Sequence, residues 1–373
     1  MKDSNANSSA KLDSSFLIRI LVVLVVIVLG VVVFSLIYYN FFFKKSYSEI
    51  EGIMADAAKQ YYSEHKKGLP KIPGDTTEVK VSTLVAGDYM KSISDYVKDE
   101  DVACKAVVRV TNVNNNYRYN PLLDCGRYHS YEMMIDHLKT KVKVVTEKDG
   151  LYQIGDDLVY RGEKINNHVK FAGQSWRIIK ISNDKMILIY DDKLEKTVWD
   201  DRYNKNRDNS VGINDYSVSR IKDYLAKLYR GSKLIKSDSD KLLLSNFNLD
   251  IGKVGEDDDD HKGDLVRSST ISNQYIGMLN LSEFMNASLD KECASASSQS
   301  CSNYNYLAES EYNYWTITGD KNTTHKVFKF IADEGTSLSN ANSPTYVRPV
   351  VAIVKDAVFV SGNGSLKKPY VFR

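Results

Sequence analysis

Four cysteines are the residues best placed for covalent chemistry, and they form two local pairs: Cys104 with Cys125, and Cys293 with Cys301. None stands in CxxC spacing and no histidine lies at a zinc-ligand interval from them, so a metal site is not expected. Cys104 opens the strand-like run CKAVVRV, and Cys125 closes YRYNPLLDC. A bridge between them would staple a hairpin-like excursion, stabilising it by roughly 3 kcal/mol in the chain-entropy model. Cys293 and Cys301 flank the polar loop ASASSQS, surroundings that suit a disulfide better than a buried free thiol. Two disulfides imply an oxidising compartment.

The remaining chemistry-bearing residues are sparse. There is no HExxH, no GxSxG and no Walker loop. Ser182-Asn-Asp-Lys185 fits SxxK in form but occupies a strand-connecting turn, and KTG is missing. No catalytic residue, enzyme activity or cofactor is therefore expected. The run Glu256-Asp257-Asp258-Asp259-Asp260-His261 is read as a solvated acidic loop. It lacks the spaced D-x-D-x-D-G pattern that turns carboxylates toward one calcium ion, which the sequence leaves as an open alternative. Arg348, between strand-like residues, is assigned a structural role. Tyr312, Tyr314 and Trp315 lie beside an Asn-rich loop and are the candidate ligand-binding residues, as a dense aromatic group offers large rigid contact area. The competing reading puts Trp315 and Trp176 in the core with the tyrosines around the rim.

These residues must be positioned by elements of three kinds. Ile20 to Phe43 carries no charge and is bracketed by Arg19 and Lys44-Lys45. As a helix it would be roughly 36 Å long, enough to cross a hydrocarbon core of about 30 Å. Tyr38, Tyr39 and Phe41–Phe43 would meet the headgroups. A cleaved signal peptide would have a shorter apolar region ending in small residues, whereas this run ends in Phe-Phe-Phe-Lys-Lys. Lysines and arginines flank both ends and do not orient the span, so the cysteines decide it: residues 1–19 cytoplasmic, the C-terminal body outside.

After the span, Tyr47, Ile50, Met54, Ala57 and Tyr61 make one apolar seam over an amphipathic stalk helix (44–68), ended by Gly68, Pro70 and Pro73. The helix either continues from the span or is capped afresh at Ser46. A small head (69–130) and a linker (131–145) follow. The rest, 146–373, reads as one mixed domain. LYQI, DLVYRG, HVKFAG, SWRIIKIS and KMILIYDD are short strands split by turn signals, mainly antiparallel, and KVKVVTE before them reads the same way. One helix carries Val218, Ile221, Leu225 and Leu228 on a face, with Ser217 as cap and Gly231 beyond its end, and another covers Ser282–Ala287. The fold class is α+β.

The N-terminal third, with its long helix, the segment VSTLVAGDYMKSISDY and the Cys104/Cys125 pair, resembles type IV pilins and pseudopilins. Ser15 rather than Gly precedes Phe16, and no carboxylate lies in Ile20–Phe43, so the resemblance is kept for shape and not for processing or polymerisation. Residues 146–373 resemble a family of domains of unknown function on surface proteins of Firmicutes and their wall-less relatives. The residues that carry this are Asn166–Phe171, Trp176–Ile179, Trp199-Asp200, Ile276–Leu279, the Cys293/Cys301 pair, Trp315–Thr318, Val347–Val351, Gly362–Gly364 and Pro369-Tyr370. Their order is distantly similar to formylglycine-generating-enzyme and C-type-lectin-like folds. The family implies display on an exported protein and no catalysis.

The net charge of +2 makes no case for nucleic acid. The expected function is a single-pass membrane protein presenting an adhesin-like, non-catalytic binding domain on a pilin-like neck. Its expected partners are the lipid bilayer and a glycan or protein at the cell surface. The alternative is a pseudopilin-like subunit of an envelope assembly, self-associating through the stalk seam.

Overall fold

The structure, a computed structural model, describes residues 14–42, 45–97, 103–126, 128–130, 132–182, 185–231, 234–250, 267–295, 298–332 and 334–373. The acidic run 256–260 lies outside them. Helix α1 (Ser14–Phe42) is apolar around its whole circumference over Ile18–Ser35 apart from Arg19, and nothing in that stretch is buried.

Helix α2 (Tyr47–Glu64) is a separate element. Ser46 and Glu49 form a reciprocal capping box: the Ser46 N–H donates to Glu49 Oε2 at 2.7 Å, and the Glu49 N–H donates to Ser46 Oγ at 3.3 Å. The Lys45 N–H donates to the Tyr96 carbonyl at 3.0 Å, tying the root of α2 to the head. Of the seam, Ile50, Met54 and Ala57 are buried while Tyr47 and Tyr61 are half-buried. The seam packs with Ala58 and Tyr62 on an antiparallel sheet of β1 (Thr76–Lys80), β2 (Lys105–Val113), β3 (Asn116–Cys125) and β4 (Tyr128–His129), in that order. The short helix α3 (Val81–Ala86) closes the same core through Val81 and Leu84. Cys104, just before β2, is bonded to Cys125 at the end of β3.

The segment read as a linker folds instead. Helix α4 (Met134–Lys141) buries Met134, Ile135 and Leu138 in the larger core, and Lys141 belongs to this helix rather than to a strand KVKVVTE. The strands β5 (Gly150–Ile154), β6 (Asp157–Arg161), β7 (His168–Phe171), β8 (Gln174–Ile181) and β9 (Lys185–Tyr190) match the runs read from the sequence. After β10 (Lys196–Thr197) comes α5 (Arg220–Gly231), which buries Ile221 and Leu225. Val218 precedes α5 and is 52% exposed, so the helical face begins one turn later than its spacing suggests. Ser219, not Ser217, serves the helix start: its Oγ accepts from the Lys222 N–H at 3.3 Å.

The remaining elements are β11 (Ser245–Asp250), β12 (Arg267–Gln274), β13 (Ile276–Met278), α6 (Leu281–Asn286), β14 (Tyr314–Gly319), β15 (Lys326–Ile331), β16 (Gly335–Asn340), β17 (Thr345–Tyr346), β18 (Pro349–Val354), β19 (Phe359–Ser361) and β20 (Tyr370–Phe372). The main sheet runs β13-β18-β9-β8-β7-β20-β19, with β6 on β8 and β5 on β6. A second sheet runs β10-β17-β14-β15-β16, and β11 pairs with β12. The strands β18 (PVVAIV) and β14 (YWTITG) are buried along their whole length, as apolar strands covered on both faces must be. The SGNGS turn docks on the start of β7. Gly364 has φ +75°, and a Cβ there would lie 2.3 Å from the Asn166 carbonyl oxygen, so no other residue fits.

Head and larger domain are stitched together. Asp356 is fully buried and accepts from Thr111 Oγ1 at 2.5 Å and Arg118 Nη1 at 3.0 Å, while its backbone carbonyl accepts from Asn120 Nδ2 at 2.8 Å. Asn114 brackets the 242–244 turn, donating to the Leu242 carbonyl and accepting from the Leu244 N–H, both at 2.8 Å. Leu122, Met133 and Val358 form a small apolar cluster across the same junction.

Candidate functional site

The aromatic trio separates into buried and open members. Trp315 is fully buried, with its Nε1 donating to the Thr197 carbonyl at 3.0 Å. Tyr314 is fully buried, with its hydroxyl donating to the Leu307 carbonyl at 2.9 Å. Neither offers a face to a ligand, because both lie on β14, whose two sides are covered. Trp176 and Trp199 are core residues too. Of the three, Tyr312 alone reaches the surface, two residues before the protected pair and half-buried.

Tyr312 lines a cavity of about 320 Å³ together with Lys193, Lys196, Glu311, Asn313, Lys329, Pro344, Thr345 and Tyr346. The second sheet assembles it. Lys196 and Thr197 of β10 pair with Tyr346 and Thr345 of β17, and Tyr346 meets Tyr314 where β17 runs parallel to β14. Lys329 on β15 stands opposite Trp315 on β14. The buried indole thus works from behind the wall: by holding the Thr197 carbonyl it fixes the strand that carries Lys196.

Electrostatics give the cavity its character. Lys193 Nζ lies 4.3 Å from the Tyr312 ring centre and 4.8 Å from that of Tyr346, and Lys196 Nζ lies 4.9 Å from the Tyr346 ring. Such cation–π contacts hold ammonium groups without neutralising them. Glu311 is the one carboxylate in the lining. Among the described residues, none of the three ammonium groups has a carboxylate within 4.0 Å. Nearby, Asp191 is engaged by His168 Nδ1 at 3.1 Å, and Asp192 accepts from the Lys193 backbone N–H at 2.7 Å. Burial lowers the Lys329 pKa, opposed by the charge of Glu334. Burial raises the Tyr312 hydroxyl, which Arg348 counters and Asp192 and Asp191 reinforce.

The other singled-out residues are structural. Arg348 donates to the Tyr190 carbonyl at 3.2 Å and lies 4.9 Å over the Tyr314 ring. Arg177 donates to Asn167 Oδ1 at 2.9 Å and to Glu309 at 2.8 Å. Asp200 is buried among the backbone N–H groups of Arg202, Ile213 and Arg220. Cys293 and Cys301 are bonded to each other and fully buried. Ser182 and Lys185 close the β8–β9 turn, the Ser182 N–H donating to the Lys185 carbonyl at 2.8 Å. Among the described residues no group of three or more His, Cys, Asp or Glu side chains could hold a metal ion.

Of the cavity's residues, sequence reasoning singled out Tyr312 but not Lys193, Lys196, Lys329 or Tyr346. They come from three separate segments, with only Lys193 and Lys196 near each other in sequence. Compared with known proteins, the chain matches no family model, no curated sequence and no solved structure. The pilin-like and surface-domain resemblances therefore rest on the residues quoted above.

Proposed function

We propose that this protein is a membrane-anchored surface protein, with α1 as the span and residues 45–373 as an extracytoplasmic body that presents a non-catalytic binding site. The observation that carries this reading is the joining of an uncovered apolar helix, long enough to cross a bilayer, to a body closed by two disulfides. The open cavity around Tyr312, on the larger domain, supports a binding role. The test is alkaline carbonate extraction combined with protease treatment of intact cells. The full chain stays with the membrane and external protease removes the body. Release by carbonate, or a body protected in intact cells, overturns the reading.

The helix-on-sheet head with its disulfide lends support to a pilin-like shape, and so to a second reading as an assembly subunit. Self-association would have to use the outer face of α2, because Ile50, Met54 and Ala57 are occupied within the subunit. A single cysteine replacing the exposed Lys59 would report this: crosslinked ladders in cells favour assembly, and monomers favour display.

A further inference from the structure

The cavity beside Tyr312 holds three lysines against one glutamate, and it does so at a cost. Two ammonium groups share the Tyr346 ring, at 4.8 and 4.9 Å, while Lys329 is half-buried on the strand behind them. Like charges gathered on one cavity wall repel, and among the described residues none of the three has a carboxylate within 4.0 Å, although the charge of Glu334 reaches Lys329. A lining of three ammonium groups and one carboxylate carries a net positive charge, which favours an anion that arrives from outside.

We propose that this cavity binds an anionic saccharide, with Lys193, Lys196 and Lys329 receiving its sulfate or carboxylate group and Tyr312, Asn313 and Tyr346 contacting the sugar. The volume, about 320 Å³, is at the small end of ligand pockets and accepts a short segment of a chain rather than a folded partner. The surround is suited to sugar: aromatic edges and uncharged hydrogen-bonding groups beside the cations, with Asn313 held in place by accepting from the Ala332 N–H at 2.9 Å. Trp315 is a positioning residue, acting through Thr197 on the lysine-bearing strand.

This inference takes its setting from the display reading but is tested apart from it. Full-length protein in non-ionic detergent is titrated with dextran sulfate, polygalacturonate, neutral dextran and poly-glutamate. At least one of the two acidic polysaccharides binds, neutral dextran does not, and poly-glutamate binds more weakly. Lys193→Ala/Lys196→Ala weakens binding about tenfold, the sum expected for two partly screened charge contacts. Both side chains are exposed, so its thermal midpoint matches the parent; should it not, Lys196→Gln carries the same test. The control Lys66→Ala/Lys67→Ala, which removes two exposed lysines on the head, leaves binding unchanged. The proposal is overturned if neither acidic polysaccharide binds, if neutral dextran or poly-glutamate binds as tightly, or if the control weakens binding as much. A surface-exposed chain that ignores both polymers sinks this inference alone, whereas a polymer-binding chain released by carbonate sinks the display reading alone.

Discussion

Glu51 and Arg373, 322 positions apart, meet at 2.7 Å, so helix α2 of the head is held by the residue that follows β20 of the larger domain. Glu51 is only 2% exposed, and its partner's side chain is 39% exposed. Tyr128 lies against the pair: burial raises its hydroxyl pKa, the Glu51 charge adds to that, and Arg373 opposes it. Removing Arg373 strands a buried carboxylate. A fully buried pair would lose about 3–5 kcal/mol, and solvent at the arginine reduces this to about 2 kcal/mol for Arg373→Ala. The double variant with Glu51→Gln should recover part of the loss in urea unfolding, whereas strict additivity would deny the coupling.

Asp356 should matter more. It is fully buried and holds Thr111 and Arg118 of the head. Asp356→Ala is expected to cost about 3 kcal/mol and to split one calorimetric transition into two, as the head loses its seat. A single, unshifted transition would contradict this.

His325 sets an acid limit. Burial lowers its pKa, and Arg207 and Lys326 lower it further against Asp320. The folded value then lies below the ordinary 6.5, so the unfolded chain takes up the proton first. Stability from this group is full above the unfolded pKa and is lost as pH falls toward the folded one. Urea midpoints at pH 7.5 and 5.5 should differ less in His325→Gln than in the parent, and equal differences would refute the assignment.

Tyr312 and Trp315 should part company under substitution. Trp315→Ala opens a hole in a strand covered on both faces, a loss of about 3–5 kcal/mol. Tyr312→Ala should leave the thermal midpoint within a few degrees and act on ligand binding. Equal destabilisation by both would place Tyr312 in the core as well.

The disulfides close loops of different length, 21 and 8 residues apart in sequence. The chain-entropy model gives about 3.3 kcal/mol for the Cys104–Cys125 link and about 2.5 kcal/mol for Cys293–Cys301. Native protein should show no thiol to alkylating reagents without reductant, and reduction should lower the melting temperature. Free thiols in unreduced material would contradict both bridges.

Strands from 150 to 190 were legible because apolar runs of five to eight residues are bounded by Gly, Asn and Asp turns. Helix α6 was legible in position, and its Asn280/Glu283 capping box explains why it starts there. Helix α4 was not, since it is two turns long and its apolar Met134, Ile135 and Leu138 are too few to show a period. The cavity was least legible of all. Its lysines become neighbours through the order β10-β17-β14-β15, which includes a parallel pair, and strand order is a property of the assembled sheet rather than of any local pattern.

The parallel pairing of β20 with β7 joins segments 201 positions apart, Tyr370 beside Val169. That ladder cannot close until residues 370–372 are made and have come back beside β7. Closure of the main sheet is therefore a non-local step, expected to be slow, and until it happens the β7 edge is unpaired and open to other chains.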